Sequence, residues 1–151
     1  MTDATPHDPT VLRLERTFSA PAQTVFDAWT SAEMLRRWWP AGPSWDWDTP
    51  VADVDLRVGG AVRLVMRSPD GVEFGGTGEY LEMDPPTRLV FSWTWDGRDG
   101  TQLVEVDFHE NADGTTTVVL TNSGLIDEAD QRSHYEGWQA SFDNLDRALA
   151  A

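Results

Sequence analysis

Residues 88–121 read RLVFSWTWDGRDGTQLVEVDFHENADGTTTVVLT, and this stretch decides the fold. It holds three runs in which apolar residues alternate with polar ones. Leu89, Phe91, Trp93 and Trp95 share one side of the first run, Val104, Val106 and Phe108 one side of the second, and Val118 and Leu120 one side of the third. A strand repeats every two residues, so each run has a dry face and a wet face, the wet one carrying residues such as Glu105 and Asp107. The runs are separated only by Asp96–Gly100 and Asn111–Gly114. Turns this short join antiparallel neighbours and nothing else.

The same grammar extends toward the N-terminus. Gly59-Gly60 precedes Ala61–Arg67, with Val62, Leu64 and Met66 inward. Pro69-Asp70-Gly71 turns into Glu73–Met83, with Phe74 and Tyr80 inward, and Asp84-Pro85-Pro86 leads back to Arg88. Gly75, Gly76 and Gly78 lie inside that strand, where glycine permits a bulge or sharp curvature. Val11–Phe18 is a further half-buried strand, with Leu12, Leu14 and Phe18 on its dry face and Arg16 on the same side. Pro21 suits the first position of a short helix striped by Val25, Phe26 and Trp29. Thr30 and Glu33 have capping-box spacing for a second short helix carrying Met34, Leu35, Trp38 and Trp39. Pro40 to Pro50 reads as a loop. At the far end, Asp127 is an N-cap with Asp130 in the first turn. Tyr135, Trp138, Phe142, Leu145 and Leu149 then form one stripe of a long helix interrupted by Gly137.

Strand, two short helices, an antiparallel meander and one long C-terminal helix make an α+β fold in which the curved sheet wraps around the last helix. The chain of 151 residues is expected to form one domain over 11–151 behind a disordered tail, 1–10. It has no cysteine, which excludes a disulfide scaffold, a thiol nucleophile and a cysteine metal site. With 26 acidic against 11 basic residues the net charge is −15, which disfavours nucleic acid and anionic membranes as partners. No apolar run approaches a membrane span, and a cytoplasmic location is the expectation.

Large aromatics on both the sheet and the covering helix hold the two apart, so a hollow is expected between them. Its lining is assigned to Trp38, Trp39, Trp47, Met66, Phe74, Tyr80, Phe91, Trp93, Trp95, Trp138 and Phe142. Trp93 and Phe142, with Trp29, also read as plain core. Trp38, Trp39, Trp45 and Trp47 cluster around the proline-rich loop as a rim or lid, and exposed Trp45 and Trp47 would also suit a homodimer. Arg16, facing a dry interior, needs a carboxylate on the last helix or a ligand anion. His7, His109 and His134 lack metal-site spacing, and Ser123-Gly124 is a turn rather than a nucleophile elbow, so neither metal nor cofactor is expected.

One group of stretches carries a family resemblance. It comprises Ala20-Pro21 with Val25-Phe26 and Trp29, Trp38-Trp39, Asp55-Leu56-Arg57 with Gly59-Gly60, and Met66 with Pro69-Asp70-Gly71. It continues with Gly78-Glu79-Tyr80, Pro85-Pro86, Arg88-Leu89-Val90-Phe91, Thr121-Asn122-Ser123-Gly124 and Gly137-Trp138 with Leu145. In this order the chain resembles the START-like, birch-pollen-allergen-like SRPBCC superfamily, the helix-grip fold. Within it the chain is similar to the branch named after the activator of the ninety-kilodalton heat-shock chaperone's ATPase (AHSA-type). The resemblance implies a cavity that takes lipids, polyketides, hormones or other apolar or aromatic small molecules, and so a binding or carrier protein. It also implies two alternatives. One is a polyketide cyclase or hydratase using Tyr80, Arg16 or His134 in the same cavity. The other is a co-chaperone-like ATPase activator with a chaperone as partner.

Overall fold

The computed structural model describes residues 8–39 and 47–150. The order of elements is β1 (Val11–Phe18), α1 (Ala22–Thr30), α2 (Ala32–Trp38), β2 (Asp48–Val54), β3 (Ala61–Arg67), β4 (Glu73–Asp84), β5 (Arg88–Trp95), β6 (Gln102–Glu110), β7 (Thr116–Ser123) and α3 (Glu128–Ala150). The strands form one seven-stranded sheet, β1-β7-β6-β5-β4-β3-β2, in which every neighbouring pair is antiparallel. The α+β expectation therefore holds in element order and in meander topology, with β1 returning to pair with the last strand. Residues 1–7, most of the expected tail, lie outside the described residues, as do 40–46 with Trp45.

Alternation decides which side of the sheet is dry. Leu12, Leu14, Phe18, Val62, Leu64, Leu89, Trp93, Val104, Val106, Phe108, Val118 and Leu120 are all buried. The opposite face is laced by arginine–carboxylate pairs. Arg88 reaches Asp107 and Glu105 at 2.9 Å each and Glu82 at 3.1 Å, and Arg63 reaches Asp96 at 2.8 Å. The Asp107 and Glu105 carboxylates accept its hydrogen bonds and push the Arg88 guanidinium further up.

Three local expectations are corrected. The cap of α2 is Ser31, whose hydroxyl accepts from the Met34 N–H, and not Thr30. Thr30 still belongs to α1 and donates back to the Phe26 carbonyl, a use open to a hydroxyl one turn on. Pro21 is the N-cap of α1 rather than its first residue. It offers no side-chain acceptor, and Glu110 at the end of β6 supplies one, accepting the Ala22 N–H at 2.8 Å. The loop expected to run to Pro50 gives way at Asp48 to β2. Pro50 is tolerated there because β2 is an edge strand and the ladder slips between Asp48 and Val51.

Asp127 caps α3 as expected, accepting the Asp130 N–H at 2.9 Å. The helix of 23 residues is about 34 Å long. It packs against β1 and α2. Phe142 and Leu145 on it are fully buried, whereas Tyr135 is exposed.

Candidate functional site: an aromatic hollow with one polar end

α3 is held to the helical pair by hydrogen bonds to the otherwise orphaned end of α2. The Ser141 hydroxyl donates to the Trp39 carbonyl at 3.1 Å and the Asn144 amide to the Trp38 carbonyl at 3.3 Å. The Trp38 indole N–H reaches back to the Ala28 carbonyl at 2.9 Å. These ties place the two tryptophans of α2 at the edge of the sheet's dry face. Glycines make room on the sheet side. A Cβ at Gly76 would lie 2.5 Å from the Trp93 ring, and one at Gly78 2.0 Å from the Ser92 carbonyl oxygen. The Trp93 ring therefore closes on the β4 backbone in space that a side chain at position 76 would need.

Between the first half of α3, strands β3 to β6 and the α1–α2 pair lies a hollow of about 930 Å³. This is at the upper end of the range for small-molecule sites. Of the residues assigned to the lining from sequence, Trp38, Trp39, Met66, Phe74, Tyr80, Phe91, Trp93, Trp95 and Trp138 border it. Trp29, read from sequence as core, borders it too.

Three assignments are corrected. Phe142 is solid core, edge-on to Phe18 at 5.6 Å. Trp47 is half-buried and stacked on Phe74 at 5.9 Å, and it is not among the residues that border the hollow. Arg16 does not reach the hollow. It pairs with Asp143 on α3 at 2.9 Å, the carboxylate its position called for, and its guanidinium lies over the Phe142 ring.

The walls are largely aromatic. Trp39, Trp93 and Trp95 form a triangle with centroids 5.8, 6.2 and 5.4 Å apart, and Trp29 stacks on Trp138 at 5.7 Å. The Trp29 indole N–H is buried with no hydrogen-bond partner among the described residues. Burial pushes the Tyr80 phenol up to about 12, so at neutral pH it is an uncharged group on the sheet side.

One end of the hollow is polar, and there a chain of hydrogen bonds runs from α3 through the sheet and back. Trp138 Nε1–H donates to Asn122 Oδ1 at 3.1 Å, and Asn122 Nδ2 donates to Gln102 Oε1 at 3.1 Å. Gln102 Nε2 lies 3.2 Å from His134 Nε2, and Trp95 Nε1–H donates to the same nitrogen at 3.1 Å. An indole N–H can only donate, so the two tryptophans fix every orientation between them. His134 Nε2 must be the bare acceptor. The ring proton then sits on Nδ1, 2.9 Å from the Asp130 carbonyl oxygen and 3.2 Å from its carboxylate. Asp130 is mostly buried. Burial opposes its ionisation, yet the Arg98 guanidinium at 3.0 Å and the Ile126 N–H hold it below the usual carboxylate range.

Sequence reasoning placed Asp130 in a first turn and noted His134, but it did not join them, and it missed Arg98, Gln102 and Asn122. A signal was present. Gln102 precedes Val104 and Asn122 follows Leu120 at the same two-residue step, so both continue a dry face with an amide. Among the described residues no three His, Asp or Glu side chains come together in a metal-binding group.

The model of the family described as activator of Hsp90 ATPase homolog 1-like protein matches residues 19–150, nearly the whole chain. The chain belongs to this family. Solved structures agree with the membership. A protein from Chromobacterium violaceum superposes with a TM-score of 0.83 at 26% identity, covering 93% of this chain and 96% of that one. The AHSA1 protein from Silicibacter pomeroyi does so with 0.79 at 28%, covering 93% and 97%. An AHSA1-like protein from Aeromonas hydrophila gives 0.72 at 28%, covering 92% of each. No curated protein matches. The AHSA1-like chain thus carries the helix-grip fold expected from its sequence. No helix among the described residues is long and apolar enough to cross a membrane.

Proposed function

We propose that this AHSA1-like protein binds and carries a flat, apolar small molecule in the hollow between its sheet and C-terminal helix, in the cytoplasm. One observation carries the reading: a space of about 930 Å³ walled by indoles and left open beside a close-packed core. A ligand burying ~200 Å² of apolar surface there gains about 5 kcal/mol of transfer free energy before association costs. Native mass spectrometry of the protein purified from its own host tests this directly. A retained small molecule is the expected result. Failure to retain any, together with no calorimetric binding of naphthalene-sized aromatic probes, would overturn the reading.

A second reading rests on the Asp130–His134 pair. His134 has its Nδ1 proton on the Asp130 carbonyl oxygen, with the Asp130 carboxylate 3.2 Å away, and an unprotonated Nε2, the protonation state a cyclase or hydratase would need in a general base once a substrate displaces a donor from Nε2. Once a converted ligand is known, His134→Ala should then abolish turnover while leaving aromatic binding in place. The family's name supports a further alternative, stimulation of a chaperone ATPase, which purified protein either produces or does not.

A further inference from the structure

The acceptor at the polar end of the hollow is oversubscribed. His134 Nε2 has one in-plane lone pair, and two N–H donors converge on it, Trp95 at 3.1 Å and Gln102 at 3.2 Å. Neither donor can turn away. Trp95 is fixed as a donor by its chemistry, and Gln102 is fixed in its orientation by Asn122 and, behind that, by Trp138. One N–H is therefore in surplus beside a half-buried indole and a largely buried imidazole. A surplus donor at an apolar wall costs free energy until an acceptor meets it.

The acceptor it calls for is uncharged. The residues bordering the hollow include Glu73, Asp130 and Glu136, while Arg98 is already engaged by Asp130. An anion entering there would meet net negative charge in a chain that carries −15 overall.

Resting on the reading of the hollow as a ligand chamber, we propose that its Trp95–Gln102–His134 corner recognises the neutral carbonyl oxygen of an otherwise apolar, aromatic ligand. The ligand class is aryl ketones, quinones and esters. The carbonyl oxygen accepts the surplus N–H, and His134 Nε2 keeps the other.

The test uses a matched pair of probes, 2-acetylnaphthalene and 2-isopropenylnaphthalene, which differ in C=O against C=CH₂. Calorimetry on the full chain should show the ketone binding up to about tenfold more tightly, the effect of one net hydrogen bond. Trp95→Phe keeps an aromatic wall but removes one donor, so the preference should vanish. In the unaltered protein the infrared C=O stretch of the bound ketone should fall below its value in an apolar solvent, a readout that needs no variant. 2-Naphthoate should bind more weakly than the ketone. If neither probe binds, the chamber itself is refuted. Equal affinities with an unshifted stretch overturn the carbonyl assignment and leave the chamber standing. A ketone preference that survives in Trp95→Phe, or naphthoate as the tightest of the three, also overturns it.

Discussion

The two halves of α3 do opposite things with the same kind of residue. Toward its C-terminus Phe142 and Leu145 are fully buried, Phe142 edge-on to Phe18 at 5.6 Å and to Trp29 at 6.0 Å. That half seals against β1. Toward its N-terminus Trp138 and His134 border the hollow and are tied to the sheet by hydrogen bonds. The lesson is that an apolar stripe at helical spacing does not say how closely the partner approaches. Closeness is set by what stands opposite: Phe18 of β1 against Phe142 at one end, and hydrogen-bonded indoles and amides of the sheet at the other.

The comparison can be broken by substitution. Phe142→Ala should cost the most, about 3–5 kcal/mol, because the close-packed end cannot collapse onto the space left. For a chain of this size that is a fall in Tm of roughly 10 °C, read by circular dichroism. Gly76→Val should cost about 1–3 kcal/mol by driving a side chain into the Trp93 ring, and the near-ultraviolet signal of the tryptophans should change with it. Met66→Trp places a larger side chain in the hollow and should shift stability by less than about 1.5 kcal/mol in either direction, while abolishing uptake of aromatic probes. A loss as large as that of Phe142→Ala would mean that the two ends are packed alike. Arg16→Ala should be smallest, below about 1 kcal/mol and shrinking with added salt. Its partner Asp143 is 61% exposed, and exposed pairs contribute little.

Most of the architecture was legible in the sequence because it rests on periodicity and on turns. The two-residue alternation from Arg88 to Thr121 places the dry face correctly, and the paired apolar spacing from Tyr135 to Leu149 finds the last helix. Capping was less legible because it is settled by competition among neighbours. Thr30 and Ser31 are both acceptable caps, and only the path of α1 shows that Thr30 is still occupied with Phe26. The edge position of β2, which admits Pro50, depends on strand order and cannot be read locally. At the site, the aromatic walls were visible as composition, but Phe142 and Trp47 were assigned to them wrongly. Nothing in a helical stripe marks where packing ends and a void begins. The polar corner was hidden for a different reason. Arg98, Gln102, Asn122 and Asp130 come from a turn, two strands and a helix, and only the tertiary fold makes them one network.

That network also explains how the hollow keeps its shape. His134 and Trp138 stand one turn apart on α3, and each is tied to the sheet through Gln102, Asn122 or Trp95. The ties act as struts of fixed length. For the helix to roll inward and fill the space, it would have to abandon several buried polar partners at once, at about 1–3 kcal/mol apiece. The hollow is thus propped rather than inflated, and a ligand of the kind proposed would find it already open, with no cost of prising helix from sheet set against its binding.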